Sequence, residues 1–190
     1  MYIDAHAHFD KYDSQLPQAI KEIEQHEIFT ISVSMDPEGY AKSKAIDKQT
    51  KWILSTFGVH PWNAPTFHSQ LEALQPLIDA SPMIGEIGLD YHFIPEPENH
   101  ALQRDVFLHF VKQGICQKKI LNIHSKGAEA DVDRILGELG GVGQLSIGTR
   151  ERSSNCTLWP KRACISRLAW RSSSALRSKR SPNQSHRLCY

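Results

Sequence analysis

The strongest constraint on the fold is an alternation of strand-like and helix-like segments along the first 140 residues. Short runs rich in apolar and β-branched residues alternate with longer runs whose apolar positions recur at helical spacing. The strand-like segments are residues 1–8, 28–33, 52–59, 83–89 and 120–124, and the helix-like segments are residues 16–26, 38–49, 68–80, 101–114 and 129–139. Repeated βα units of this kind predict parallel strands joined by helical crossovers.

Two α/β architectures fit about five such units. One is an open doubly wound sheet, and the other is an incomplete (β/α)₈ barrel, since a complete barrel typically takes about 250 residues. The chain has 190 residues, so length alone favours the open sheet. One more short strand can lie within residues 140–149, and Ser14 is expected to cap the first helix.

The charge and the amino-acid composition of the chain change near residue 140. Residues 1–140 hold 12 basic and 20 acidic side chains, whereas residues 141–190 hold 10 basic side chains and one acidic one. Serine and arginine dominate from Arg150 onwards without any sustained apolar period. We therefore divide the chain into a partial barrel at 1–140 and a basic tail at 141–190. The tail is interpreted as a solvated, disordered segment, with a phosphate-binding patch or an out-of-frame translation of a barrel's second part as alternatives.

Composition excludes some classes of protein. No apolar run approaches the roughly 18 residues of a membrane span, and the start of the chain lacks a cationic lead into an apolar segment, so we expect a cytoplasmic protein. The four cysteines have no regular spacing, which indicates neither a thiolate zinc site nor a disulfide framework. Nothing in the sequence indicates an obligate protein partner.

Histidines and carboxylates follow the ends of several predicted strands. His6 and His8 are two residues apart, so on a strand both side chains point to one face and can bind the same ion. Glu86 and Asp90 flank another strand end, and His124 and His60 each close a strand. Taken singly, each is as well explained by an ordinary strand-end histidine, loop acid or helix cap. Four predicted strands end in a histidine or a carboxylate, and α/β enzymes place their catalytic residues at the carboxyl ends of the strands. The coincidence favours a metal site.

These motifs together resemble one family. In chain order they are DAHAHFD (4–10), GVHPW (58–62), GEIGLDYH (85–92), LQRDVFLHFV (102–111) and ILNIHSK (120–126). This order is similar to that of the TatD family of amidohydrolase-like metal hydrolases, over roughly residues 1–140. The resemblance implies a (β/α)₈ barrel, here an incomplete one of about five to six βα units with an irregular C-terminal tail.

The resemblance also implies site residues and cofactors. His6 and His8 would bind a first divalent metal, Glu86 would bridge two metals, His124 would bind the second, and His60 would line the substrate pocket. The cofactors would be two Mg²⁺, Mn²⁺ or Zn²⁺ ions per intact site, and the substrate would be DNA or another phosphodiester, attacked by a water that the metals acidify. The acidic balance of residues 1–140 argues against a long basic groove, so substrate contact would be local.

The sequence departs from the family after His124. A strand-end histidine in an HxFSG-like motif and an aspartate in an ETD-like motif are both expected there. His186 is the sole later histidine, and no aspartate follows Asp133. We therefore expect a TatD-type hydrolase, a deoxyribonuclease by ancestry, that is truncated or frameshifted and impaired. The alternative is a non-catalytic metal- or nucleic-acid-binding protein that uses the basic tail.

Overall fold

The computed structural model describes residues 2–140 and the backbone of residues 144–147. Its strands are β1 (Tyr2–Ala7), β2 (Ile28–Val33), β3 (Ile53–Thr56), β4 (Ile84–Asp90), β5 (Leu121–Lys126) and β6 (Gln144–Ile147). Its α-helices are α1 (Leu16–Gln25), α2 (Pro37–Asp47), α3 (Ala64–Phe67), α4 (Gln75–Ala80), α5 (Pro97–Cys116) and α6 (Glu129–Glu138). The predicted alternation of strands and helices is confirmed, including the additional strand within residues 140–149.

All the strand pairs are parallel and follow chain order. One sheet has the order β1-β2-β3 and the other β4-β5-β6, and a single parallel bridge between Phe57 and Ile84 connects β3 to β4. Each strand therefore lies beside its predecessor in the chain, as in a (β/α)₈ barrel, whereas a doubly wound sheet reverses its order at a switch point. The partial barrel is confirmed, and the open sheet that length alone favoured is not found.

The region between β3 and β4 is more broken than the sequence pattern predicted. A single helix over residues 68–80 was expected, but a 3₁₀ segment spans His68–Leu74 and only Gln75–Ala80 is α-helical. Gln70 has non-helical angles of φ −125° and ψ 19°, and Pro76 lies in the first turn of α4. Because proline fits the first turn of a helix and cannot donate within one, helices tend to start afresh at such positions.

Two predicted helix starts also differ. Helix α5 begins at Pro97, four residues before the expected residue 101, because a proline is well tolerated in the first turn. Ser14 was expected to cap α1, but it lies inside a 3₁₀ turn, and Gln15 occupies the cap position without a side-chain hydrogen bond. The Ser14 prediction was therefore wrong.

The largest core cluster lies between the second sheet and the helices that cover it. Phe57, Phe107 and Phe110 are fully buried there, with Ile87 and Ile123 from the two central strands. This packing fixes β4 and β5 against α5 and so holds the ends of both strands in place. The strand ends carry the candidate site described below.

Among the described residues, no helix combines the length and the apolarity needed to cross a membrane. The predictions made for the basic tail lie outside the described part of the chain, apart from strand β6.

Candidate metal centre

Side chains from β1, β4 and β5 meet in one place, His6 from near the carboxyl end of β1 and Glu86 and His124 from within β4 and β5. His6 lies in β1 with His8 just beyond it, Glu86 lies in β4, and His124 lies in β5. The parallel register pairs Gly88 with His124, and Glu86 lies two residues before Gly88 in β4. All four residues proposed from the sequence as metal ligands are therefore brought together.

His6, His8 and Glu86 form a first group of donors. The Nε2 atoms of the two histidines are 3.2 Å apart, and Glu86 Oε2 lies 3.5 Å from that of His6 and 3.4 Å from that of His8. One donor atom from each of the three lies within 4.8 Å of the others, a spacing that can hold a metal ion.

The backbone and an amide orient both of these rings. His8 donates its Nδ1–H to the Val33 carbonyl oxygen at 3.1 Å, and His6 directs Nδ1 at Asn122 Oδ1 at 3.3 Å. Asn122 is itself fixed, because its Nδ2 donates to the Ala5 carbonyl oxygen at 2.9 Å. With Nδ1 used as a donor, a neutral imidazole presents the lone pair of Nε2 to the site.

His60, Glu86 and His124 form a second group. His124 Nδ1 lies 3.1 Å from Glu86 Oε1, and His60 Nε2 lies 3.4 Å from His124 Nδ1 and 3.8 Å from Glu86 Oε1. Donor atoms of these three residues also lie close enough to hold an ion. Each oxygen of Glu86 thus faces a different group of histidines.

His60 differs from the other histidines in its hydrogen bonding. Its Nδ1 accepts the backbone N–H of Trp62 at 3.3 Å and so caps the short 3₁₀ segment Pro61–Asn63. A neutral imidazole that accepts at Nδ1 carries its proton on Nε2. Burial lowers the pKa of His60 to about 4, so the neutral form prevails at physiological pH. His60 therefore presents an N–H to the site, and we regard it as a hydrogen-bond donor although its distance would also permit ligation.

Glu86 is the charged centre of the site. It is 4% exposed, and although burial raises its pKa, hydrogen bonds from His124 and His8 hold the pKa of this carboxyl well below its usual value. A buried carboxylate is costly unless cations compensate for it. In the metal-free protein the compensating charge is a proton on His124, since its two carboxylate neighbours overcome the effect of burial and raise its pKa to about 9.

The donor set suits a divalent cation. Imidazole nitrogen and carboxylate oxygen are ligands for Zn²⁺ and Mn²⁺, and two histidine nitrogens that face each other across 3.2 Å repel unless a proton or a cation lies between them. The residues present therefore fit a metal ion at the first group. The other oxygen of Glu86 faces His124, so a carboxylate and an imidazole are available as ligands there too.

Asp90 is a residue whose importance the sequence pattern did not reveal. The sequence places it beside Glu86 at a strand end, with an ordinary loop acid or a helix cap as the alternative, and no role is predicted for it; in the structure it lies at the end of β4 and is fully buried. Its Oδ2 accepts from His124 Nε2 at 3.0 Å and from Trp62 Nε1 at 2.8 Å. The available signal was its position four residues after Glu86, which places both on the same face of a strand.

An exposed aromatic pair borders the second group. The ring of Trp62 lies 4.8 Å from that of His60 and 5.8 Å from that of Phe93, between centroids. Trp62 is 46% exposed and Phe93 is 59% exposed. The other large apolar residues exposed in the described part of the chain are at or beside the amino ends of strands: Tyr2, Ile3 and Ile120.

Comparison with known proteins places this site in context. A family model described as TatD related DNase matches residues 3–150. An uncharacterized metal-dependent hydrolase of Buchnera aphidicola is 28% identical over 152 residues, which cover 72% of this chain and 56% of that protein. A relative from Bacillus subtilis with the same description is 28% identical over 171 residues, 82% of this chain and 65% of that protein. The chain thus spans 56% and 65% of the length of these two relatives.

Solved structures share the fold. A TatD homologue from Escherichia coli K12 superimposes with a TM-score of 0.67 at 20% identity, covering 80% of this chain and 61% of that one. A TatD-family hydrolase from Entamoeba histolytica gives a TM-score of 0.65 at 19% identity, covering 77% and 57%. The family match extends over most of the chain and includes every strand and helix described above, so the protein belongs to the TatD-related DNase family.

Proposed function

We propose that this chain is a divalent-metal-dependent hydrolase of the TatD type that cleaves phosphodiester bonds, with DNA as its substrate. The observation that carries the proposal is the position of Glu86 between two groups of histidines, each facing one of its oxygens. A carboxylate in that position can bridge two ions. The relatives described as metal-dependent hydrolases support the same reaction class.

We assign roles to the residues by this geometry and by the family resemblance. His6 and His8 would hold a first ion, His124 would hold a second, and Glu86 would serve both. The ions would be Mg²⁺, Mn²⁺ or Zn²⁺. Two such ions supply charge neutralisation for the phosphoryl oxygens and acidify a water for attack.

His60 acts on the substrate. Its N–H faces the space beside Glu86 Oε1, and the acceptor bond to the Trp62 backbone keeps the proton on that nitrogen. A donor aimed at the place where negative charge develops stabilises the transition state of phosphoryl transfer. We therefore assign His60 the binding of a phosphoryl oxygen.

The aromatic pair supports a nucleic acid over a simple phosphodiester. The exposed rings of Trp62 and Phe93 begin next to His60, within reach of a base attached to a phosphate at the site. Stacking of a base on an aromatic side chain is worth about 1–3 kcal/mol and tolerates any base. This arrangement favours a single-stranded substrate or an end, where bases are unstacked.

We also propose that hydrolysis by this chain is impaired. Among the described residues the first group offers three ligands and the second offers Glu86 and His124, since His60 is assigned to the substrate. The sequence after His124 lacks both family motifs that would add a histidine and an aspartate. Lost ligands weaken the binding of an ion and remove part of the negative charge that holds it. The expected activity is therefore well below that of a relative with all the motifs.

In this proposal the partial barrel is the functional unit, and the serine- and arginine-rich stretch from Arg150 onwards takes no part in catalysis. Strand β6 pairs with β5, so the barrel unit continues to at least residue 147. The metal-dependent hydrolases among the relatives favour this function over metal or nucleic-acid binding without catalysis through the tail.

A nuclease assay tests the proposal. The full chain, its His6→Ala variant and a control His26→Ala variant are incubated in Mn²⁺ or Mg²⁺ with a fluorescent single-stranded oligonucleotide. His26 is exposed at the end of α1, away from the donor groups. We expect slow metal-dependent cleavage that is lost in His6→Ala and kept in His26→Ala. Equal rates in all three, or DNA binding that needs no metal and weakens with salt, would contradict the proposal.

A second substrate tests the aromatic pair. An oligonucleotide with abasic positions next to the cleaved bond offers the same phosphodiester without bases. Trp62→Ala and Phe93→Ala are expected to raise KM about 10-fold for the normal oligonucleotide, because about 1.4 kcal/mol of stacking corresponds to a factor of ten. They should leave KM for the abasic one nearly unchanged. Similar effects on both substrates would remove the stacking role.

A further inference from the structure

Asp90 makes four hydrogen bonds with its carboxylate, although it is not among the proposed metal ligands. Oδ2 accepts from His124 Nε2 at 3.0 Å and Trp62 Nε1 at 2.8 Å. Oδ1 accepts from the backbone N–H groups of His92 at 3.1 Å and Phe93 at 2.8 Å. Oδ2 therefore accepts from side chains at the site, and Oδ1 accepts from the backbone of the loop that follows β4.

We propose that Asp90 is a positioning residue that fixes the tautomer and the ring orientation of His124 for metal binding. A neutral histidine that donates from Nε2, as a metal ligand must be, presents its lone pair from Nδ1, and Nδ1 of His124 faces Glu86 Oε1 at 3.1 Å. The carboxylate also makes the bound imidazole a stronger donor to a cation. This inference rests on the proposed metal site and assigns a role to a residue outside it.

The contacts of the Asp90 backbone separate this role from a purely structural one. Its N–H donates to Gln103 Oε1 at 2.8 Å, and its carbonyl oxygen accepts from Gln103 Nε2 at 3.2 Å. Gln103 is fully buried in α5, so the end of β4 is fastened to the helix without any help from the carboxylate. The carboxylate is therefore not needed to keep the strand end in place.

The substitution Asp90→Asn tests this inference because it keeps the shape of the side chain and replaces one acceptor oxygen with an NH₂ group. The amide oxygen is expected to stay on the two backbone N–H groups, since an amide nitrogen cannot accept from them. The amide N–H₂ then faces His124 Nε2 in place of an acceptor. His124 is expected to respond by moving its proton to Nδ1, which removes the lone pair that a metal ion needs.

Zinc binding and imidazole NMR test this directly. Calorimetric titration with Zn²⁺ and ¹⁵N spectra of the imidazoles are compared for the full chain, Asp90→Asn and the control Asp131→Asn. Asp131 accepts from Tyr91 Oη at 2.8 Å and pairs with Arg134 on the surface, outside both donor groups. We expect Asp90→Asn to weaken Zn²⁺ binding about 10- to 100-fold at one of the two steps. In ¹⁵N spectra of the metal-free proteins, recorded above the His124 pKa of about 9 so that the ring is neutral, the His124 signals should shift from the Nε2–H to the Nδ1–H form.

A third variant isolates the contact with His124. Trp62→Phe removes the other donor to the same carboxylate oxygen and leaves His124 in place, so it should keep the Nε2–H form of His124 and bind Zn²⁺ like the unaltered chain. The proposal is overturned if Asp90→Asn keeps both the Zn²⁺ affinity and the Nε2–H signal, even where its melting temperature falls. Absence of nucleolytic activity in the unaltered chain would count against the proposed function alone, because neither of these two readouts depends on hydrolysis.

Discussion

His6 and His8 direct their Nε2 atoms at each other across 3.2 Å, with the carboxylate of Glu86 within 3.5 Å of both. The Nδ1 atom of each ring is hydrogen-bonded and fixes the orientation of the ring, in His8 to the Val33 carbonyl oxygen and in His6 to Asn122 Oδ1. Two lone pairs held together in this way are stabilised only by a proton or a cation between them. The geometry therefore predicts that metal binding and folding stability are linked.

The first prediction concerns this linkage. Adding Zn²⁺ or Mn²⁺ at about 100 times its dissociation constant should raise the free energy of unfolding by about 2.7 kcal/mol, because the ion binds the folded state alone. Thermal melts with and without a chelator measure this. His8→Ala should abolish most of the shift, whereas His26→Ala should keep it. A shift of equal size in His8→Ala would place the ion elsewhere.

The second prediction concerns the pH dependence of the metal-free protein through His124. Its two carboxylate neighbours raise the pKa of this histidine from its usual 6.5 to about 9. A pKa that is higher in the folded state means that the stabilising contribution is fully present below pH 6.5 and is lost as the pH rises through about 9. Urea unfolding at pH 6.5, 8 and 9.5 should show this loss.

The matched comparison is His124→Gln, which keeps a polar side chain without a titrating group. Its free energy of unfolding should change less between pH 6.5 and 9.5 than that of the unaltered chain. Parallel curves for the two proteins would show that His124 does not carry the pH dependence.

The third prediction has the opposite sign and concerns His60. Burial lowers the pKa of His60 from 6.5 to about 4, so the folded state resists protonation of this ring. Its neutral form contributes stability above pH 6.5 that is lost as the pH falls through about 4. His60→Gln should therefore lose less stability than the unaltered chain between pH 6.5 and 4. Equal losses, measured by urea unfolding at both pH values, would contradict the assignment.

Strand and helix periodicity was enough to predict most of the partial barrel. The run Ile28–Val33 was predicted with the bounds that the structure has, because a buried strand between polar segments leaves a clear pattern. The region after Pro61 was not, since successive prolines divide it into short turns whose boundaries depend on local backbone geometry.

The site was predictable only in part, for a different physical reason. The spacing of His6 and His8 is a local signal of a shared ion. The order of the motifs along the chain added Glu86 and His124 as candidate ligands. The contacts of Asn122 lie across the fold, such as its hydrogen bond to Ala5, 117 positions away. Sequence spacing carries no signal for such partners.

The last prediction concerns Gly88, which lies directly opposite His124 in the paired strands. A methyl group added at Gly88 would collide with the His124 carbonyl oxygen, and backbone cannot move aside as a flexible side chain can. Gly88→Ala should therefore cost about 1–3 kcal/mol of unfolding free energy, as overpacking typically does, and should weaken Zn²⁺ binding by displacing His124 from Glu86. Gly137→Ala is the matched control, because nothing lies within 4 Å of the added methyl and alanine favours the helix by about 0.5–1 kcal/mol. Urea unfolding and Zn²⁺ titration of the two variants measure both effects. If Gly88→Ala proved as stable as Gly137→Ala and bound Zn²⁺ equally well, the close approach of β4 and β5 would not be what holds His124 beside Glu86.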